Sequence, residues 1–192
     1  MKFTNSQIVN FIILVLRWYL AFYMFDYGWS KMTGGQFSVH DSNILEKPIK
    51  EIDKFYIAWH LFSTSNTFNI IVGISQIVGS LLIVINRTAL IGALVLLPIL
   101  VQIFLIDLAF TTNVLGYSLV LRLLGMIACD LAILFYHKDL LLHALRVLTE
   151  NLNMTYKYKW WLYLLLPLLG FMTDFGIAVL MMPIRWIILW LK

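Results

Sequence analysis

The chain has 192 residues, 61% of them hydrophobic and only 12% charged, and a net charge of +4. A soluble domain is about half apolar and about a quarter charged, so this composition excludes an ordinary soluble globule and points to a membrane solvent. The bases cluster beside apolar segments and not in one stripe, which excludes a nucleic-acid surface, and 13 Phe, 9 Tyr and 7 Trp suit two aromatic interfaces.

Crossing the hydrocarbon takes about 20 apolar residues in a helix. The first candidate is 8–31. Lys2 and the apolar residues 11–16 imitate a signal peptide, but Arg17 interrupts the run and no small-x-small cleavage site follows. A retained helix is therefore predicted. Residues 46–62 come next and read as an amphipathic helix on the outer surface. Pro48 suits a first helical turn. Ile49, Ile52, Tyr56 and Trp59 share one face, opposite Glu46, Lys47, Lys50, Glu51, Asp53 and Lys54.

The second and third spans, 68–86 and 88–110, are separated only by Asn86-Arg87-Thr88, which predicts an antiparallel hairpin. A tight turn from Thr111 to Gly116 leads into the fourth span, 117–136. Residues 138–150 alternate Leu141, Leu142, Leu145 and Leu148 with His143, Arg146 and Glu150, an interfacial pattern. The fifth span is 160–183. Pro183 is expected to end it, leaving a short surface helix with Arg185 and Lys192; one long tilted helix is the alternative.

The predicted fold class is an all-α integral membrane protein. A four-helix transmembrane bundle fills 1–150, and a C-terminal extension, 151–192, adds a fifth transmembrane helix. Lys2, Arg87, Lys138, Arg146, Lys157 and Lys159 fall on one side. The positive-inside rule makes that side cytoplasmic, with the N-terminus inside and the C-terminus outside a bacterial inner membrane.

Ionisable residues within a span are costly and are candidates for function. Here they are Arg17, Asp26, Lys31 at the rim, Asp107, Arg122, Asp130 and Asp174, with amides at Gln76 and Gln102. At about 1.5 Å per residue, Asp130, Arg17 and Gln76 lie at about 9, 13 and 15 Å from the inner edge. Asp174, Gln102 and Arg122 lie at about 20 Å, and Asp26 and Asp107 at about 27 Å. Two polar layers result. In the lower, Arg17 is expected to bond Gln76 or Asp130. Each layer reads either as structural pairing of buried charges or as a cavity for a ligand. Lone Cys129 can form neither an internal disulfide nor a redox pair, and is read as a small apolar residue. No metal-ligand spacing, facing histidines for haem, P-loop or dinucleotide fingerprint occurs.

Arg17-Trp18-Tyr19-Leu20-Ala21-Phe22 with Tyr27-Gly28-Trp29-Ser30-Lys31 resembles the first helix of the DoxX-like family. The resemblance continues through Gln36-Phe37, Trp59, the stretch from Gly73 through Gln76 and Gly79 to Leu82, then Arg87-Thr88, Gly92 and Ala93, and covers 15–140. It is nearest the branch common in Bacteroidetes-type bacteria. Gln76 stands where that branch usually has glutamate, and Gln102 and Asp107 where it has asparagines. The resemblance implies a four-helix bundle, Trp59 near its mouth, and membership of a set in which some relatives serve thiosulfate:quinone oxidoreductase or oxidative-stress complexes.

The expected function is that of a non-catalytic subunit or accessory of a membrane redox or envelope complex, with membrane lipids and other membrane subunits as partners. No cofactor is predicted. The alternatives are a quinone-linked oxidoreductase subunit, with the polar layers receiving the quinone headgroup, and a small solute or lipid carrier or receptor.

Overall fold

A computed structural model describes residues 4–35, 47–111, 114–150 and 157–190, apart from the side chains of 114, 115, 174, 178, 184, 185, 188 and 189. Lys2, the Gln36-Phe37 pair and Glu46 lie outside the described residues, as do the side chains of Asp174 and Arg185. The described chain is helical, and five of its helices are long and apolar enough to cross a membrane. The protein is an all-α membrane protein.

Helix α1 runs from Asn5 to Met32. Its first free amides are met by a capping box in which the Gln7 side chain accepts from the Thr4 N–H at 3.0 Å. A single 3-10 turn at Ile49–Glu51 precedes α2, Lys54–Ser63, which the Asp53 carboxylate caps by accepting from Phe55 N–H at 2.9 Å. The expected continuous helix over 46–62 is thus interrupted. Ile52 is extended (ψ 133°) because Asp53 starts a new helix behind it, so Ile49 and Ile52 do not continue the face of Tyr56 and Trp59.

Helices α3, Asn66–Val84, and α4, Ala89–Phe110, form the predicted hairpin. Thr88 ties its turn by donating from Oγ1 to the Leu82 carbonyl at 2.8 Å. Gly92 lies directly against the backbone of Ile83, and a Cβ there would clash. Helix α5 spans Val114–Tyr136, so Gly116 lies in its first turn and not in the connection before it. Helix α6, Lys138–Glu150, has no buried residue, as its alternating leucines and charges foretold.

Around the bundle α1 packs on α3, α3 on α4, α4 on α5, and α5 back on α1, with α2 seated on α3 and α4. Leu20, Met24, Ile83, Leu96, Leu100, Leu123, Met126 and Ile133 are essentially inaccessible at its centre. Without a hydrophobic drive between helices in lipid, close approach of small residues does much of the work. At the α1–α3 crossing, a Cβ on Gly28 would come within 2.6 Å of the Gly73 carbonyl oxygen; between α3 and α4, one on Gly79 would come within 2.5 Å of Leu96 Cδ2.

The chain divides into two units, Met1–Leu145 and Arg146–Lys192. The second contains α7, Trp160–Trp190. Pro183 does not end this helix, contrary to expectation, and the long-helix alternative holds. Proline withdraws one amide and crowds one carbonyl, and a transmembrane helix tolerates that; Pro167 is accommodated the same way.

Candidate functional site

At the α2 end of the bundle, Lys31 and Asp107 face one cavity of about 90 Å³. Each sits in the last turn of its helix, α1 and α4 respectively, and both are buried. Their opposite charges attract. The Lys31 Nζ also stands 5.8 Å from the centroid of the Tyr27 ring. Ser75 of α3 and Gln102 of α4 add a hydroxyl and an amide to the lining.

The rest of the wall is apolar. Helix α2 supplies Trp59 and Phe62, α3 supplies Phe68 and Val72, and α4 supplies Ile99, Ile103 and Ile106. Trp59 stacks on Phe55 with ring centroids 4.0 Å apart, and Phe62 on Phe68 at 5.6 Å, so aromatic pairs hold the α2 roof. Chemically this is an oily slot with a cation, an anion and two neutral hydrogen-bonding groups at one end.

The other predicted polar residues are arranged differently. Arg17, Gln76 and Asp130 are all buried, but they do not bond one another. Arg17 donates from Nε to the Ile83 carbonyl at 2.7 Å and from Nη2 to the Val84 carbonyl at 2.6 Å. These are free carbonyls of the last turn of α3, and the guanidinium caps them. The expected bonds to Gln76 or Asp130 fail because an arginine in a helix leans toward the N-terminus of its own helix. The long side chain therefore reaches the bundle end. Gln76 lies beside Gly28 at the α1–α3 crossing, and among the described residues neither of its amide atoms finds a hydrogen bond; nor do the two Asp130 oxygens.

The expected upper layer also divides. Lys31, Asp107 and Gln102 share the cavity, whereas Asp26 and Arg122 are exposed on the outside of the bundle. Arg122 lies over Tyr23, 5.6 Å from the ring centroid, on the stair formed by Tyr19, Tyr23 and Tyr27. Helix rise ranks residues by depth but says nothing of azimuth, which turns by about 100° per residue. The Asp174 side chain lies outside the described residues.

Sequence reasoning missed Phe62, Phe68, Val72 and Ser75 as wall residues. The available signal was the density of aromatics over residues 55–68, flanking the turn between α2 and α3. Among the described residues, no three His, Cys, Asp or Glu side chains converge on a point.

Comparison with known proteins shows the family of the chain. The DoxX profile matches residues 12–108, which includes α1 to α4 and both Lys31 and Asp107. An uncharacterized protein of Bacillus subtilis (strain 168), YwoB, is 35% identical over 111 residues, covering 58% of this chain and 70% of the relative. No solved structure matches significantly. The matched segment supplies three of the four bundle helices and every cavity-lining residue named above, and on that match the chain belongs to the DoxX family.

Proposed function

We propose that the protein is a non-catalytic membrane subunit of a redox or envelope complex, and that its α2-end cavity receives the polar head of a lipid-soluble molecule, with a quinone as the best chemical fit. The observation that supports this reading is the joint burial of Lys31 and Asp107 against an otherwise apolar, aromatic wall. Pockets for whole drug-sized ligands run to about 300–1,000 Å³. A cavity of about 90 Å³ suits one ring-sized headgroup, with any tail left in the lipid.

The lining matches a quinone head in kind. Lys31 and Gln102 offer donors to carbonyl oxygens, while Trp59, Phe62 and Phe68 offer ring faces; the Ser75 hydroxyl donates to the Val72 carbonyl at 2.8 Å and adds only an acceptor. A bound quinone would supply electron transfer; this chain's residues would bind it, orient it and exclude water. On this reading the N-terminus and Arg87 are cytoplasmic, α2 lies at the periplasmic face, and the C-terminus is periplasmic. Cysteine labels at Arg87 and Lys50 should then report opposite sides.

The test of the ligand is thermal unfolding of the purified protein in nanodiscs. A short-chain quinone should raise the melting temperature, and an alkylbenzene with the same tail should not. Lys31→Met should remove the difference between them. Equal shifts from both compounds, or none from the quinone, would exclude the quinone site. A stable protein partner recovered in mild detergent would support the subunit role separately.

A further inference from the structure

Arg17 also lines a second recess, at the bundle end opposite the α2 cavity. This groove holds about 300 Å³ between Gln7, Asn10, Phe11, Leu14 and Arg17 of α1 and Asn86, just after α3. Three carboxamides and a guanidinium thus share an opening without a carboxylate, and Phe11 and Leu14 form its apolar side. Arg17 itself is only 6% exposed.

The Nε and Nη2 atoms of Arg17 cap α3, while Nη1 takes no acceptor among the described residues. The Gln7 amide oxygen is occupied by the Thr4 N–H, which leaves its NH2 as the available end. Asn10 and Asn86 can each turn an amide NH2 toward the same opening. The groove is therefore rich in donors around one fixed positive charge. A guanidinium edge with neighbouring neutral donors matches a tetrahedral oxyanion. The apolar flank, Phe11 and Leu14, lies one helical turn further along α1 than Gln7 and Asn10.

We propose that this groove binds the phosphate of an anionic membrane phospholipid, with Arg17 as the charged contact and Gln7, Asn10 and Asn86 as neutral donors. A basic recess between transmembrane helices is a known physical solution for holding an acidic headgroup. The lipid would also brace the end of α3, because the same guanidinium would be held from both edges. The site is separate from the α2 cavity, and its test does not depend on the ligand proposed there.

The experiment uses the full chain reconstituted in phosphatidylcholine nanodiscs with or without phosphatidylglycerol, and in detergent with inorganic phosphate. Lipid retention is read by native mass spectrometry and stability by thermal unfolding. Phosphatidylglycerol should be retained in preference to phosphatidylcholine and should raise the melting temperature. Asn10→Leu and Asn86→Leu leave the Arg17 bonds to α3 in place, and each should weaken the preference roughly fivefold or less, the scale of one modest polar contact. Arg17→Lys, which keeps the charge but loses the planar edge, should abolish it. Stabilisation by inorganic phosphate equal to that by phosphatidylglycerol would support the phosphate site and assign it a soluble ligand. No preference for phosphatidylglycerol and no effect of phosphate on the wild-type chain would overturn the proposal. So would a preference left unchanged in both asparagine variants.

Discussion

Arg17 donates its Nε proton to the Ile83 carbonyl across 2.7 Å, joining the first spanning helix to the last turn of the helix it packs against. The neighbouring bond to Val84 makes the contact two-pronged. A buried guanidinium here is neither an ion-pair member nor a stray charge, because helix-end carbonyls carry the partial negative charge it needs.

Arg17→Leu should therefore destabilise the protein by roughly 1.5–3 kcal/mol per charged hydrogen bond lost, measured by unfolding in detergent. Combining it with Asp130→Asn should give additive effects, since the two side chains share no bond. Asp130→Asn alone should leave stability equal or higher, because the carboxyl oxygens are buried without a hydrogen-bond partner among the described residues. A marked loss would show that the carboxyl holds something.

Two glycines should respond oppositely to the same substitution. At Gly28 an added methyl would come within 2.6 Å of the Gly73 carbonyl oxygen, a backbone atom that cannot swing aside. Gly28→Ala should cost about 1–3 kcal/mol by forcing α1 and α3 apart. Nothing lies within 4 Å of a Cβ at Gly125, so Gly125→Ala should be neutral or stabilising by up to about 1 kcal/mol through helix propensity. Melting temperatures of the two variants decide this directly.

Lys31 and Asp107 should behave as a coupled pair. Removing one partner of a buried pair leaves the other unmatched, commonly at about 3–5 kcal/mol. Lys31→Met with Asp107→Leu should be less harmful than the sum of the single variants. A double-mutant cycle giving no coupling would mean that the two groups share the cavity without acting on one another.

His137, just past the end of α5, gives a pH signature. Burial first, then the positive charge of Arg17, pushes its imidazole below the ordinary histidine value. With the folded value below the unfolded one, its stabilising contribution is present above about pH 6.5, the unfolded value, and is lost as the pH falls through the folded value. The wild-type melting temperature should drop between neutral and mildly acid pH, and His137→Gln should drop less. Identical pH profiles would show that His137 does not set the acid sensitivity.

The number of spans and most of their limits were readable because they depend on local quantities; the starts and ends misplaced at Gly116 and Pro183 were read from residue type alone. A run of about 20 apolar residues is dictated by bilayer thickness, and breaks such as Asn86-Arg87-Thr88 are marked by polarity alone. The caps and the α3–α4 hairpin belong to this local class. So do the buried positions of Arg17, Gln76 and Asp130, since charge in a span seeks the interior. The split between α2 and the turn before it was legible in part: Asp53 is a good N-cap residue, but the amphipathic pattern runs straight through it.

What the chain alone could not decide is which polar groups meet. Helix α4 is apolar all round, so its periodicity does not say which face turns inward. Nor does helix rise give the stagger between neighbours. Only packing, with Gly28 against Gly73 and Gly92 against Ile83, sets the rotation and height of each helix. That packing puts Lys31 and Asp107 in one cavity beneath Trp59 and leaves Asp26 and Arg122 outside. It also carries the Arg17 guanidinium to the end of α3. Membrane insertion is a sum over residues in one segment, whereas contacts between segments depend on angles and offsets that no single segment encodes.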